Sequence, residues 1–445
     1  MLWVLFLAAT ALRLWFVLWE HPPGKHVTSD MWVYDMRAHR VMEGTFDLGD
    51  TFQPLGYPAM LALLYSISDT SQTLVGVVQA LMGGLTVVFT YRIAQRVGSS
   101  SLLGLFAALA VGVHLPLIVY TGLLLTEVPF CFAVTLALWL ILRALEERTF
   151  GSAVWAGVAL GVATVVRSNL MAFFPLLPLF LSWALRGEKK RRAWILCGQL
   201  VLGALIPISA AVIHNSIRSK RPVGLATNGG ANFYLNFAEI RTLKSVSQAG
   251  EHHITPIPNL IRYDKDEIHR TALYNEQYFY QRGFKLLREK PSRLVRALDN
   301  LVEGAGAGKQ DYWPGWPWHD RLLAGHAKVF FWLGVLPAML HILWLFASGR
   351  FLRPEAAPRV LLALALSSAI LTLYLFLGDP RMRVPFDPVL IVLTLDAPRR
   401  LFKWIGWRVQ ASLSRRAAAV APAAAPPPAA PPLAEPPLPT AEPSP

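Results

Sequence analysis

The chain has 445 residues, 54% of them hydrophobic and only 16% charged, with 42 Lys and Arg against 28 Asp and Glu and a formal net charge of +14. A soluble protein of this size needs more charge on its surface, and apolar runs of roughly 18 residues or more suffice to cross about 30 Å of hydrocarbon. The excess positive charge speaks against a nucleic-acid-binding surface, because it falls in short clusters between apolar runs and not in one patch interleaved with aromatics.

The first apolar run, Leu2–Trp19, has neither a basic start nor a small-residue cleavage site, so it reads as a retained helix and not a leader. Further spans are expected at roughly 72–95, 101–119, 126–145, 151–167, 169–186, 193–213, 326–347, 358–378 and 384–397. In hydrocarbon the backbone must satisfy its own hydrogen bonds, so these spans are helices. The weak alternation of a membrane β-barrel is absent. The expected fold is therefore an all-α polytopic membrane protein of about ten transmembrane helices with two long external segments bearing juxtamembrane helices.

Every second loop is short and basic: Arg92/Arg96, Arg143/Arg148, Arg186–Arg192, Arg350–Arg359 and Arg399–Arg416. The positive-inside rule assigns these to the cytoplasm. The organisation that follows is a membrane core over 1–214 with a first external loop at 20–71, a large external loop at 215–325, C-terminal spans over 326–398, and a tail over 399–445. From about Ala417 the tail is nearly all Ala and Pro, which predicts disorder. In the first loop Met31–Glu43 reads as a helix, and Tyr57–Ile67 is apolar but too short to span. In the second, Asp266–Glu289 is a helix by period and Pro291 starts another. Cys131 and Cys197 lie inside apolar runs and read as small core residues, not as a disulfide or zinc site.

Four places on the external side of this topology offer chemistry. Asp30 opens a helix after the first span, where backbone N–H groups favour its ionised form, and an ionised carboxylate beside a membrane can take a proton from a sugar hydroxyl; a capping role is the plainer alternative. Glu127 stands at the outer end of the fourth span, where a carboxylate is costly and marks a functional site, unless it only snorkels to the interface. Arg167 lies in the next outer turn, against the positive-inside trend, and needs a partner such as Glu127 or a lipid phosphate. Arg381 and Arg383 crowd the short turn 378–385, where a phosphate-bearing ligand, or ion pairs to Asp379 and Asp387, would account for them.

Taken in order, these pieces resemble a family. Asp30 with Tyr34 four residues on, then Gln53-Pro54-Leu55-Gly56-Tyr57-Pro58 before an apolar helix, is similar to the first external loop of the lipid-linked glycosyltransferases of the C superfamily. Tyr120-Thr121-Gly122 with Thr126-Glu127 resembles their second acidic site, and Gly157–Arg167 their fifth span. Asn228–Phe233, which includes Asn232, resembles the start of their large external loop, and Arg381–Pro388 their C-terminal Arg-Tyr-Arg-x-Pro segment. Within that superfamily the likeness is greatest to the bacterial group resembling protein O-mannosyltransferases and the lipid A aminoarabinose transferase. Three positions depart from the pattern: Met31 replaces a paired acid, Gln53-Pro54-Leu55 replaces Lys-Pro-Pro, and Met382 replaces an aromatic residue.

The resemblance implies transfer of a hexosyl or pentosyl group from a polyprenyl-phosphate donor to a hydroxyl acceptor at the external face of a cell (inner) membrane, with inversion. It implies Asp30 and Glu127 as catalytic carboxylates and Arg167, Arg381 and Arg383 as donor-phosphate or site-organising groups. Tyr34, Gln53, Tyr57, Asn228 and Asn232 become candidates for substrate contacts. Two carboxylates are a thin site for a divalent cation, so no metal or other cofactor is expected to be essential. The partners implied are the lipid-linked donor, membrane lipids and a hydroxyl acceptor, without nucleic acid. The rival class is a transporter or lipid flippase, which would use helices broken at mid-membrane and charges buried there.

Overall fold

The computed structural model describes residues 1–25, 27, 30–187, 190–238, 274–306, 317–376, 378–400, 406 and 410. The helical body is Met1–Pro398; a second unit, Arg399–Pro445, holds the tail, and the stretch expected to be disordered lies outside the described residues. The described residues form helices and turns with no strand, so the chain is an all-α polytopic membrane protein. In order, α1 is Leu2–Trp15, α2 Asp30–Glu43, α3 Gly56–Ser66, α4 Gln72–Gly98, α5 Ser101–Gly112, α6 Leu115–Val119, α7 Glu127–Glu147, α8 Phe150–Val166, α9 Leu176–Ala184 and α10 Lys190–Ser219. Then come α11 Asn228–Phe237, α12 Glu276–Glu289, α13 Arg293–Arg296, α14 Leu298–Ala305, α15 Pro317–Phe330, α16 Leu336–Ala347, α17 Ala357–Leu375, α18 Pro380–Arg383 and α19 at 387–400.

Among the described residues six helical stretches are long and apolar enough to cross a bilayer: Leu2–Lys25, Gln72–Gly98, Glu127–Glu147, Lys190–Ser219, Arg321–Ala347 and Pro354–Leu375. The pair Ser101–Gly112 and Leu115–Gly122 makes a seventh if it is one span, but it bends by 54°. The remaining expected spans are shorter. α8 has 17 residues. The segment expected to span 169–186 divides into a tight turn, Ser168–Phe173, and the nine-residue α9. Pro175 stands at that division, immediately before α9 begins, and has no N–H to donate into the preceding turn.

Proline explains the bend between α5 and α6. Pro116 has no N–H to give the carbonyl of Gly112, its partner four residues back in a continuous helix. Arg13, fully buried in the first span, supplies the missing donors instead: its Nη1 donates to Gly112 O at 2.9 Å and its Nη2 to Val111 O at 3.2 Å. In hydrocarbon, interrupted backbone is tolerated only where protein satisfies it in this way.

α8 and α10 pack most closely. A Cβ at Gly157 would collide with the Leu200 carbonyl, and one at Gly203 with the Val154 carbonyl. Small residues let membrane helices bring their backbones together, which is where packing replaces the hydrophobic effect as the driving force. At one end of the body Arg96 pairs with Glu146 at 2.8 Å, tying the C-terminus of α4 to that of α7. Arg359, at the start of α17, pairs with Asp396 at 2.6 Å and donates to the Val97 carbonyl at the end of α4. The basic termini of α4, α7 and α17 thus gather at one end. At the other, α11 stacks Phe233 against Tyr280 and Phe284 of α12, and Asn236 Nδ2 donates to Tyr374 O at 2.8 Å near the end of α17. The expected helix 266–289 is seen from Glu276; its first part lies outside the described residues.

Candidate active site

Glu127 and Glu146 stand at opposite ends of α7, about 30 Å apart by helical rise. Around Glu127, away from the Arg96–Glu146 end, three other segments converge. α2 begins at Asp30 and places its carboxylate in the first turn, where the helix dipole favours negative charge. α8 ends at Val166, and Arg167 leaves it in extended conformation. The turn after α17 is capped by Asp379, whose Oδ1 accepts from the backbone N of Arg381 at 2.8 Å and aims Arg381 inward.

Arg381 joins the two carboxylates. Its Nε donates to Glu127 Oε1 at 2.9 Å and its Nη1 to Asp30 Oδ2 at 3.2 Å. Arg167 approaches the same Glu127 oxygen from the other side, Nη1 at 3.6 Å, while its guanidinium lies over the ring of Phe130 and its Nη2 is 2.8 Å from Met382 Sδ. Exposure rises along the chain of charges: 0% for the Glu127 side chain, 21% for Arg381 and 42% for Asp30. Two guanidinium groups converge on one buried carboxylate, so Glu127 holds both arginines while Asp30 presents its free edge outward. Burial alone lowers the pKa of Arg381, but the charges of Glu127, Asp30 and Asp379 more than reverse this, and it titrates well above the ordinary arginine range. Glu127 Oε2 has no hydrogen-bond partner among the described residues.

Tyr34, one turn after Asp30, is buried and meets the ring of Tyr57 edge-on at 5.1 Å. Burial first, and then the charge of Asp30, push its hydroxyl up to about 12, so it stays protonated and able to donate. Tyr57 OH in turn donates to Gln79 Oε1 at 3.1 Å, and Gln79 Nε2 donates to the carbonyls of Thr121 and Leu123, each at 2.9 Å. The loop leading to Glu127 is thereby fixed to the aromatic pair beneath Asp30. Gly56 sits against the backbone of Val165 and Val166, with no room for a side chain, which brings the Gln53–Tyr57 segment beside Arg167. Gln53 Oε1 is buried with no hydrogen-bond partner among the described residues.

The other expected residues lie apart from this cluster. Arg383 points the opposite way from Arg381: its Nε donates to Asp387 Oδ1 at 2.9 Å, its Nη1 to Ala305 O at 2.6 Å, and its guanidinium lies over Phe330. Asp387 is also 2.7 Å from His114 Nε2, at the bend between α5 and α6. Arg383 therefore clamps the turn and does not enter the acidic site. Asn228 and Asn232 lie on α11, which packs mainly on α12; the neighbouring Thr227 ties it to the first loop through its N–H to Thr51 O, at 2.8 Å. Sequence reading overlooked Gln79, Arg13 and His114. The available signal was polarity inside apolar runs, which in a membrane marks either function or a backbone in need of a partner.

Among the described residues no group of three or more His, Cys, Asp and Glu side chains gathers for a metal ion. The guanidinium of Arg381 lies between the two carboxylates, and hard divalent cations take about six oxygen ligands.

Residues 52–214 match the family model described as dolichyl-phosphate-mannose-protein mannosyltransferase. No curated protein matches the chain. Among solved structures, the chain aligns with the archaeal oligosaccharyltransferase AglB of Archaeoglobus fulgidus in complex with an inhibitory peptide and a dolichol-phosphate, at 12% identity and a TM-score of 0.48, covering 93% of this chain and 52% of that one. The apo form of the Archaeoglobus fulgidus oligosaccharyltransferase aligns at 14% identity and 0.48, covering 93% and 52%. ArnT from Cupriavidus metallidurans bound to undecaprenyl phosphate aligns at 15% identity and 0.41, covering 89% and 77%. The chain spans about half the length of the archaeal enzymes. The match over residues 52–214 makes that part of the chain similar to the lipid-linked mannosyltransferase family.

Proposed function

We propose that the protein is a membrane glycosyltransferase that moves a hexosyl or pentosyl group from a polyprenyl-phosphate donor to a hydroxyl acceptor on the external face of the cell (inner) membrane. The observation that carries the reading is the Asp30–Arg381–Glu127 chain, drawn from three distant segments and graded from solvent to a buried end. In the proposed step the acceptor hydroxyl gives its proton to the Asp30 carboxylate as its oxygen attacks the anomeric carbon. The bond from that carbon to the phosphate oxygen breaks on the far side, polyprenyl phosphate departs with the electron pair, and configuration inverts. Arg381 and Arg167 stabilise the charge on the leaving phosphate, the kind of pre-set electrostatic contribution that dominates many enzymes. Glu127 keeps both arginines in place. The bend between α5 and α6 is a feature a transporter reading would use, but its freed carbonyls at Val111 and Gly112 are occupied by Arg13.

Asp30→Asn keeps shape and removes the charge. Loss of a positioned base costs about 10²- to 10⁴-fold in rate, so the variant should lose single-turnover transfer from a lipid-linked donor while donor binding and expression stay near normal. Glu127→Gln should lose donor affinity or folded yield as well, because Arg381 and Arg167 then face a neutral group in a buried place. Full turnover in Asp30→Asn would remove Asp30 from the chemistry. The reaction is also proposed to need no divalent metal, so turnover after exhaustive chelation should match the untreated enzyme.

A further inference from the structure

A cavity of about 320 Å³ lies between the C-terminal half of α2, the loop 44–50 and the outer end of α10, lined among others by Arg37, Arg40, Asp50, His214 and Arg218. Three guanidinium groups face one carboxylate there. Asp50 is shared between Arg40 at 2.9 Å and Arg37 at 3.9 Å, and it also accepts the backbone N of Asp47 at 2.9 Å. Arg218 donates to the carbonyls of Gly44 and Thr45 and lies against the ring of Phe46. After these contacts, Arg37 Nη1, Arg218 Nε and His214 Nδ1 remain buried with no hydrogen-bond partner among the described residues. Arg37 is only 3% exposed. Its burial outweighs the help of Asp50 and brings its pKa down to about 10, still protonated at neutral pH.

A buried guanidinium without enough negative charge is costly unless an anion joins it. Guanidinium forks match tetrahedral oxyanions, which accept several N–H bonds at once. The volume sits at the small end of the range for ligand pockets, about 300–1,000 Å³, and leaves space for more than a bare ion. Its position also has meaning. Asp30, Tyr34 and Arg37 recur at helical spacing on α2, and seven residues of rise place Arg37 about 10 Å from Asp30. The cavity is distinct from the Arg167–Arg381 pair, so it duplicates no role assigned there.

We propose that this cavity binds a phosphoryl oxyanion and so anchors an acceptor that carries one, with its reacting hydroxyl toward Asp30. The anchoring role rests on the glycosyltransferase reading; the binding of the oxyanion does not.

The test uses purified full-length protein in nanodiscs of neutral lipid, without donor. Thermal unfolding is followed against inorganic phosphate, glucose 6-phosphate, and nanodiscs doped with phosphatidic acid. Phosphate and the sugar phosphate should raise the unfolding temperature in a saturable way, and Arg218→Gln should weaken both at least tenfold. Should Arg218→Gln fail to fold, Val41→Glu decides the matter. Val41 lines the cavity and is 37% exposed, so a carboxylate there is tolerated and supplies the missing charge; it should raise the unfolding temperature and abolish the response to phosphate. Asp30→Asn should bind the sugar phosphate like wild type, which separates this site from the chemistry. A response to phosphatidic acid alone overturns the acceptor role and makes this a headgroup site. No response to any probe, or one unchanged in both cavity variants, overturns the site itself.

Discussion

Arg381 is the residue on which the site turns, because one guanidinium spans a buried and an exposed carboxylate through different nitrogens, Nε to Glu127 and Nη1 to Asp30. A lysine carries the same charge on a single nitrogen and has no planar fork to divide between two partners. Arg381→Lys should therefore leave a folded protein whose single-turnover rate falls by roughly 10- to 100-fold, a partial form of the loss seen when a preorganised electrostatic donor is removed. Arg381→Ala should do more. It leaves Glu127 buried with Arg167 at 3.6 Å as its nearest cation, and breaking a buried pair by removing one partner costs about 3–5 kcal/mol. Unfolding in detergent would show the difference: a midpoint near wild type for Lys and a large decrease for Ala. The positions of Asp30, Glu127, Arg167 and Arg381 were legible in the sequence, since charge at the edge of an apolar run is costly and therefore conspicuous. The division of labour between Arg381 and Arg383 was not. Two arginines two residues apart look alike in sequence, and only the helical turn sends one to the acids and the other to Asp387 and Ala305.

At the scale of elements, proline positions set the departures from simple spans. An apolar run from Ser101 to Val119 is long enough to cross as one helix, but Pro116 removes a donor and the run bends. The bend is stable because Arg13 reaches it from α1, a partner nearly a hundred residues away. Arg13→Met keeps length and packing but leaves the carbonyls of Val111 and Gly112 without those donors. An unsatisfied buried acceptor costs about 1–3 kcal/mol, so the variant should unfold at lower temperature, with the damage focused on α5 and α6 in hydrogen exchange. Protection unchanged at 111–114 would mean the bend does not depend on Arg13. The helix expected at Met31–Glu43 was found as Asp30–Glu43, and the apolar run Tyr57–Ile67, too short to span, forms the helix Gly56–Ser66.

For the whole molecule, charge segregates by end. The basic termini of α4, α7 and α17 meet through Arg96–Glu146, Arg359–Asp396 and the Val97 carbonyl. The Asp30–Glu127 cluster lies at the other end of α7. The positive-inside rule predicts the basic end in the cytoplasm and the acidic site outside. Reporter fusions at Gly250 and after Arg416 should accordingly report opposite sides of the membrane. Reports from the same side would mean an odd error in the number of crossings between them. That number is the part of the architecture that length and apolarity decide least, since α8, α9 and α19 are short and the α5–α6 pair is bent.

What the sequence determined by itself was class and order: a helical membrane body, short basic loops alternating with longer segments, and charged positions at the edges of apolar runs. These follow from one-dimensional quantities, namely the length of apolar runs, the alternation of charge and the placing of proline, and the bilayer acts on each span separately. The tertiary structure alone decided which charges meet. Asp30 and Arg381 are 351 positions apart in the chain, and Glu127 and Arg381 are 254. Pairing at such separations depends on close helix contacts like that of Gly157 with the Leu200 carbonyl, and on which side of a four-residue turn each side chain leaves. The excess of buried donors around Arg37, Arg218 and His214 was hidden for the same reason. Each reads alone as an ordinary polar residue of a helix, and only the fold closes them around one cavity.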